Sequence, residues 1–391
     1  MFVLKYVPQV RLGNLNNKLL MRYILTFLFL LLIDQFVISQ TIENDWTIFR
    51  GKSDLSGSSR FDFPASLRLL WNFPSGERSK SSPVISDDII YFGTDKGTIY
   101  AVSSDGKVKW RFETGSAVEA PPLLYGDKVY AGSSDGVMRA VNKLTGRLVW
   151  SYPTDNQIVG SANVWISGKQ AGIIFGSYDY FLHCVDPASG KLLWKLETMN
   201  YVNGTPAVSK NKIIFGGCDG IIRVADPRTG AERSAFEIGV YIAASPAVIN
   251  DKAYFGDYDG TFYCLDMFTG KIEWEIAPGE TSGSILGIPA VGSNYVIVGN
   301  EDKYLYCYKA SDGILVWKYR TNGRIVGSPV VTPTKVLFGS MDGHIYMAEL
   351  TNGKKTWSFN AGAPVSSSPA VVQGRFYFLT EDGRLLAFGV K

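Results

Sequence analysis

Four cysteines, two histidines and a recurring set of turn aspartates are the residue types in this 391-residue chain that could do chemistry. Cys184, Cys218, Cys264 and Cys307 are separated by 34, 46 and 43 residues, so no CxxC, CxxCH or adjacent pair exists. Such spacings give neither a zinc knuckle nor a haem attachment site. Cys184, Cys264 and Cys307 stand at equivalent places in apolar runs, and read as buried small hydrophobes rather than disulfide partners. His183 and His344 lie far apart, each at or beside a strand start after a turn, so a metal pair is the weaker reading. No Walker-type loop occurs. Asp105, Asp135, Asp219, Asp259, Asp342 and Asp382 each precede a glycine. Asp-Gly supplies the positive φ that tight turns need, so these carboxylates read as turn formers rather than acids or bases. No catalytic and no metal-binding residue is assigned. Asn203-Gly204-Thr205 has the form of a glycosylation sequon, a triplet common by chance.

The elements that hold these residues repeat. Gly stands four residues before Trp at Trp110, Trp150, Trp194, Trp274, Trp317 and Trp357. Trp71 is a further copy, and Ser234 takes the Trp position in one unit. The steps between the eight markers are 39, 40, 44, 40, 40, 43 and 40 residues. Other marks keep the same step: Ser-Pro or Thr-Pro as at Pro83, Pro206, Pro246, Pro329 and Pro369, then Phe-Gly as at Gly93, Gly176, Gly216, Gly256 and Gly339. Between turns the runs are short, aromatic and β-branched, which gives four antiparallel strands per unit. Eight such units with no helical segment predict an all-β, eight-bladed β-propeller over residues 65–391. The last unit has three strands, and a lone strand from Leu67 to Phe73 precedes the first. The N-terminal strand is therefore expected to join the C-terminal blade, closing the ring and pairing open edges. A tryptophan repeated in every unit reads as structural, packing an outermost strand toward the next blade and contributing roughly 1.5–3 kcal/mol by burial.

The first residues are of another kind. Ile24 to Ile33 is a ten-residue apolar run after Arg22, too short to span a bilayer and suited to a signal-peptide core. Residues 1–39 are read as a signal peptide, with Met21 an alternative start and an uncleaved anchor the other reading; residues 40–64 form an N-terminal extension. With no cysteine near the junction, a lipoprotein anchor is not expected, and the location is periplasmic or secreted. The leader carries Lys5, Arg11, Lys18 and Arg22 against Asp34, which accounts for the whole formal charge of +3. The remainder is neutral overall, so nucleic-acid binding has no electrostatic support.

Cys184-Val185-Asp186-Pro187-Ala188-Ser189-Gly190-Lys191 to Trp194 resembles the tryptophan-docking motif of quinoprotein (PQQ-like repeat) propellers. Cys264-Leu265-Asp266 to Trp274 and Val224-Ala225-Asp226 to Ser234 look like further copies. Trp46 to Gly57, with Phe49-Arg50-Gly51, resembles the segment that opens many exported members. WD40 repeats have a similar period, but their Gly-His and Trp-Asp marks are absent. The resemblance implies one of two branches. One comprises dehydrogenases that bind pyrroloquinoline quinone (PQQ) with Ca²⁺ held by Glu, Asn and Asp, commonly beside an adjacent-Cys disulfide. The other is non-catalytic and BamB-like. The missing Cys pair and the near absence of insertions between units favour the second, with no cofactor.

Function is then expected where the repeat is broken. The turn between second and third strands and the loop after the Trp strand share one face of the wheel. There Asp-Gly becomes Asp179-Tyr180 after Tyr178, and Asp302-Lys303 after Glu301. The inter-blade loops add Glu119, Gln157, Tyr201, Asn203, Tyr241, Glu280 and Arg324. These residues are the candidate partner-binding face. The expected function is a monomeric protein-interaction module. A PQQ-dependent oxidoreductase and a carbohydrate- or polymer-binding propeller are the alternatives.

Overall fold

Short β-branched and aromatic runs alternate with tight turns, and the chain folds accordingly. A computed structural model describes residues 45–64, 66–242, 244–279, 283–292 and 294–390; the leader expectation and Glu280 fall outside these residues. The strands form eight separate four-stranded antiparallel sheets and no helix occurs among the described residues. Blade 1 starts at Val84 and the others follow in chain order. Blade 2 is typical, running Leu123–Tyr125, Lys128–Gly132, Val137–Asn142 and Leu148–Pro153 from the axis outward. Inner strands are buried on both faces, whereas fourth strands alternate between partly buried and exposed residues, as the outermost layer must.

Blade 8 takes Ala370–Val372, Arg375–Leu379 and Arg384–Gly389 from the C-terminus and Arg68–Pro74 from the N-terminus. Trp71 pairs with Ala387 and Phe73 with Leu385, so the expected closure is present, shifted by one residue.

Around the ring the repeated tryptophans join each blade to the next. The indole N–H groups of Trp71, Trp110, Trp150, Trp194, Trp274, Trp317 and Trp357 donate to carbonyls of the following blade at 2.7–3.2 Å. For all of these but Trp357, the turn glycine of that next blade lies against the indole. A Cβ on Gly313, whose φ is +71°, would stand 2.9 Å from the Trp274 ring. Between blades 4 and 5, where Ser234 replaces Trp, the ring against Gly270 is that of Phe236, at 2.6 Å from the same hypothetical Cβ. The apparent gap in the repeat is thus filled by the apolar residue two positions on.

A strap, residues 45–63, crosses the face opposite the candidate site. Trp46 exchanges both backbone hydrogen bonds with Ile85 at 2.9 Å. Leu124, Val208, Val248, Val291 and Val331, each on an inner strand, donate N–H groups to Thr47, Ser53, Asp54, Ser56 and Gly57. Asn163 Nδ2 of blade 3 donates to Ser53 at 2.8 Å, and Phe63 packs edge-on against Phe376 of blade 8 at 5.1 Å. The strap therefore touches all eight blades. Within it Arg50 is 1% exposed, with a single hydrogen bond from Nη2 to the Pro289 carbonyl at 3.2 Å. Nε and Nη1 have no partner, and burial pulls the guanidinium pKa down to about 9.

Candidate functional site

Two backbone hydrogen bonds, repeated around the wheel, set the side chains of the upper face. After the fourth strand the chain turns back and donates to the last residue of the neighbouring turn, as from Thr154 to Gly136 at 2.7 Å and Thr198 to Tyr180 at 2.8 Å. The second residue of each turn then donates to the inter-blade loop that enters its own blade: Tyr178 to Gln157 at 2.9 Å, Cys218 to Tyr201 at 3.0 Å, Tyr258 to Tyr241 at 2.9 Å, and Met341 to Arg324 at 2.9 Å. Seven blades have both bonds; in blade 5 Pro278 stands at the first donor's place and the second bond alone remains, so rigid brackets around the wheel carry side chains chosen freely by the sequence. Tyr180 and Lys303 occupy the positive-φ position that glycine takes in other turns, at +72° and +76°. Left-handed backbone at bulky residues is strained, so both are held there by the bracket.

Five of the turn aspartates are held in structural contacts. Asp135 pairs with Arg139 at 2.6 Å, Asp179 with His183 Nε2 at 3.0 Å, and Asp219 with Arg223 at 2.7 Å. Asp302 and Asp342 accept the hydroxyls of Tyr306 and Tyr346. In these five the partner is four residues on, on the third strand, whereas Asp382 pairs with Arg384 and Asp105 with Lys107, each two residues on. Burial alone would raise the Asp179 carboxyl, but the His183 hydrogen bond and charge outweigh it and hold it below the usual range. His183 is 2% exposed and also bonds the Tyr152 hydroxyl through Nδ1 at 3.1 Å, while His344 lies on blade 7. No group of three or more His, Cys, Asp or Glu able to hold a metal exists among the described residues. All four cysteines are free; Cys184, Cys264 and Cys307 are buried.

The candidate residues separate into three groups. On blades 3 to 5 they form an aromatic arc. Tyr178 stacks on Tyr201 with ring centroids 4.4 Å apart, and Tyr180 adjoins Tyr201 at 5.4 Å. Tyr180 and Tyr241 are 44% and 58% exposed. The structure adds Tyr258 at 56% and Met199 at 80% exposed, which the sequence reading missed. The signal for Tyr258 was present, since it precedes Asp259-Gly260 as Tyr178 precedes Asp179. On blades 6 and 7, Glu301 and Arg324 form an ion pair at 2.6 Å, and Asp302 is turned inward. Glu119 is bound to Lys80 at 2.9 Å, a pairing that also holds the lysine above its usual pKa. Gln157 serves by its carbonyl, and Asn203 lies deeper. Its Oδ1 is buried without a partner, a poor position for a glycan acceptor.

Asn203, Lys80 and Glu119 line an axial cavity of about 260 Å³. Below them are Ser82, Ser161, Thr205, Ser245, Ser328 and Ser368, and Phe49 of the strap also contributes to the lining. A quinone held with Ca²⁺ needs several oxygen ligands converging on the ion. The one carboxylate lining this cavity among the described residues, Glu119, is engaged by Lys80, and no two cysteines are adjacent. These residues do not fit that group, and no reaction step follows through it.

The family profile described as outer membrane protein assembly factor BamB matches residues 64–216, 218–286 and 279–391. No curated protein matches the chain in sequence. Among solved structures, BamB from Moraxella catarrhalis superposes with a TM-score of 0.71 at 18% identity, over 83% of this chain and 100% of that one. A quinohemoprotein alcohol dehydrogenase from Comamonas testosteroni gives 0.77 at 14% identity, over 88% of this chain and 80% of that one. A europium-containing methanol dehydrogenase gives 0.75 at 13%, over 89% and 98%. At such identities the likeness is one of fold, which an assembly factor and dehydrogenases share.

Proposed function

The chain belongs to the family of the outer membrane protein assembly factor BamB, and from that premise we propose that it is an exported, non-catalytic propeller that recognises a protein partner through its upper face. The observation that carries this reading is the aromatic arc of blades 3 to 5. Tyr180, Met199, Tyr241 and Tyr258 stand well exposed on a face whose backbone is fixed by repeated hydrogen bonds. Rigid aromatic anchors lose little entropy on binding and dominate interface energetics. The ion pairs Glu301–Arg324 and Lys80–Glu119 flank the arc as a polar rim. The location proposed is the periplasm or the outside of the cell, and the free protein is proposed to be a monomer.

The test is a comparison of the wild type with Tyr180→Asp/Tyr241→Asp/Tyr258→Asp in cross-linking capture from the host envelope, followed by purified binding of the recovered protein. These side chains are exposed, so the triple variant is expected to keep its melting temperature and lose the partner, with Kd raised 100-fold or more, on the order of 3 kcal/mol. Equal binding by the folded variant overturns the assignment of the face.

A further inference from the structure

We propose that the axial cavity beneath the arc is a binding site for a single neutral sugar ring. The inference is independent of the protein-binding reading, and either can fail alone.

The first observation is a belt of hydroxyls. Thr205, Ser245, Ser328, Ser368 and Ser82 each accept a backbone N–H from the neighbouring blade, at 3.1, 2.6, 2.9, 3.1 and 2.9 Å respectively. Each is 4–5% exposed and lines the cavity. None of the five donates to any protein atom among the described residues. One lone pair of each is engaged, so each has its O–H proton and one remaining lone pair to offer the axis. These hydroxyls precede proline or open the first strand, so the fold itself aims them inward.

The second observation supplies the acceptors. Asn203 Oδ1 and Ser366 Oγ lie in the same lining, buried and without a hydrogen-bond partner. An unmet buried acceptor costs about 1–3 kcal/mol, and a ligand hydroxyl relieves it. The lining thus holds donors and acceptors together, which suits a group whose every hydroxyl is both. Charge narrows the class. Lys80 and Glu119 are the charged groups of the lining and neutralise each other at 2.9 Å. An anion therefore meets no net attraction. The wall is polar, while Phe49, Val159, Leu286 and Val326 present apolar surface. A pyranose has that division, with C–H faces and a hydroxyl rim. The volume, about 260 Å³, is below the ~300–1,000 Å³ of drug-sized ligand sites and fits one ring.

The experiment is ligand-observed saturation-transfer NMR on the full mature chain. D-glucose, D-galactose, D-mannose and N-acetyl-D-glucosamine are the probes, with sodium acetate and sodium phosphate as anionic controls. Saturable transfer to at least one of the sugars is expected. Ser245→Ala/Ser328→Ala should weaken that sugar about 5-fold or more, as loss of one or two neutral hydrogen bonds implies. Because that variant strips acceptors from two backbone N–H groups, Val159→Phe provides the second arm. It fills the cavity with the belt intact and should abolish binding, with the melting temperature preserved. Phe268→Ala, at the exposed turn before the fourth strand of blade 5, should leave sugar binding unchanged. Transfer to none of the four sugars, binding of acetate or phosphate in their place, or sugar binding that survives Val159→Phe would overturn the proposal.

Discussion

At the scale of single residues, six of the eight blade junctions rest on one indole over one glycine. Trp274 and Gly313 make the argument measurable. Gly313→Ala adds a Cβ 2.9 Å from the indole at a φ of +71°, so it carries both a clash and a strained backbone. Trp274→Ala leaves a cavity and is expected to cost about 3–5 kcal/mol. The double variant should cost less than the sum by about 1 kcal/mol, because removing the ring removes the clash and leaves only the strain. Strict additivity in urea unfolding would contradict the packing. The sequence showed this device through the fixed Gly-to-Trp spacing. At the Ser234 unit that spacing shows no ring, because a reading tied to one position does not reveal Phe236 turning its ring onto Gly270 from two residues on. The turn aspartates give a pH signature. Asp135, Asp179, Asp342 and Asp382 are each held below the ordinary carboxylate range, their hydrogen bonds outweighing burial. Their contribution is fully present above the unfolded Asp value of about 3.9 and is lost as pH falls through the lower folded values. The urea midpoint should therefore be level from pH 7 to 5 and fall below about pH 4. Asp179→Asn, which breaks the buried pair with His183, should cost about 2 kcal/mol at pH 7. A midpoint that rises on acidification contradicts these pairings.

At the scale of elements, the N-terminal segment has two tasks. Residues 68–74 complete blade 8, and residues 45–63 run under the wheel as a strap. Deleting residues 45–74 should leave the Arg384–Gly389 edge unpaired and release the inner strands from their carbonyl partners. Such an edge is a template for association. The truncated protein is expected to unfold at least 10 °C lower and to self-associate in sedimentation velocity, whereas a monomer of unchanged stability would refute the closure. Closure was legible because strand counts at the two ends are complementary. The strap was not, although its Phe49-Arg50-Gly51 segment stood out. It has neither alternation nor period, since its backbone is shaped by eight different neighbours. The hydroxyl belt is half legible: the Ser-Pro and Thr-Pro marks recur with the step of the repeat. That five hydroxyls meet at one axis depends on the ring being closed, which no local pattern encodes.

At the scale of the molecule, the fold is a neutral frame for chemistry. Repeated hydrogen bonds fix the backbone of the upper face, and function is left to side chains that depart from the repeat. Tyr178, Tyr180, Tyr201 and Tyr241 were legible as departures, but their union into one arc was not, because they come from separate units. Glu301 and Arg324 stood out equally in sequence, and the structure spends them on each other. The same wheel also carries dehydrogenases, so the claim that this member recognises rather than oxidises is the one that matters most. It is tested most directly by titrating the mature chain with PQQ and Ca²⁺, following cofactor absorbance together with dye-coupled oxidation of alcohols and sugars. The account predicts no saturable absorbance change and no turnover; saturable binding accompanied by dye reduction would contradict it.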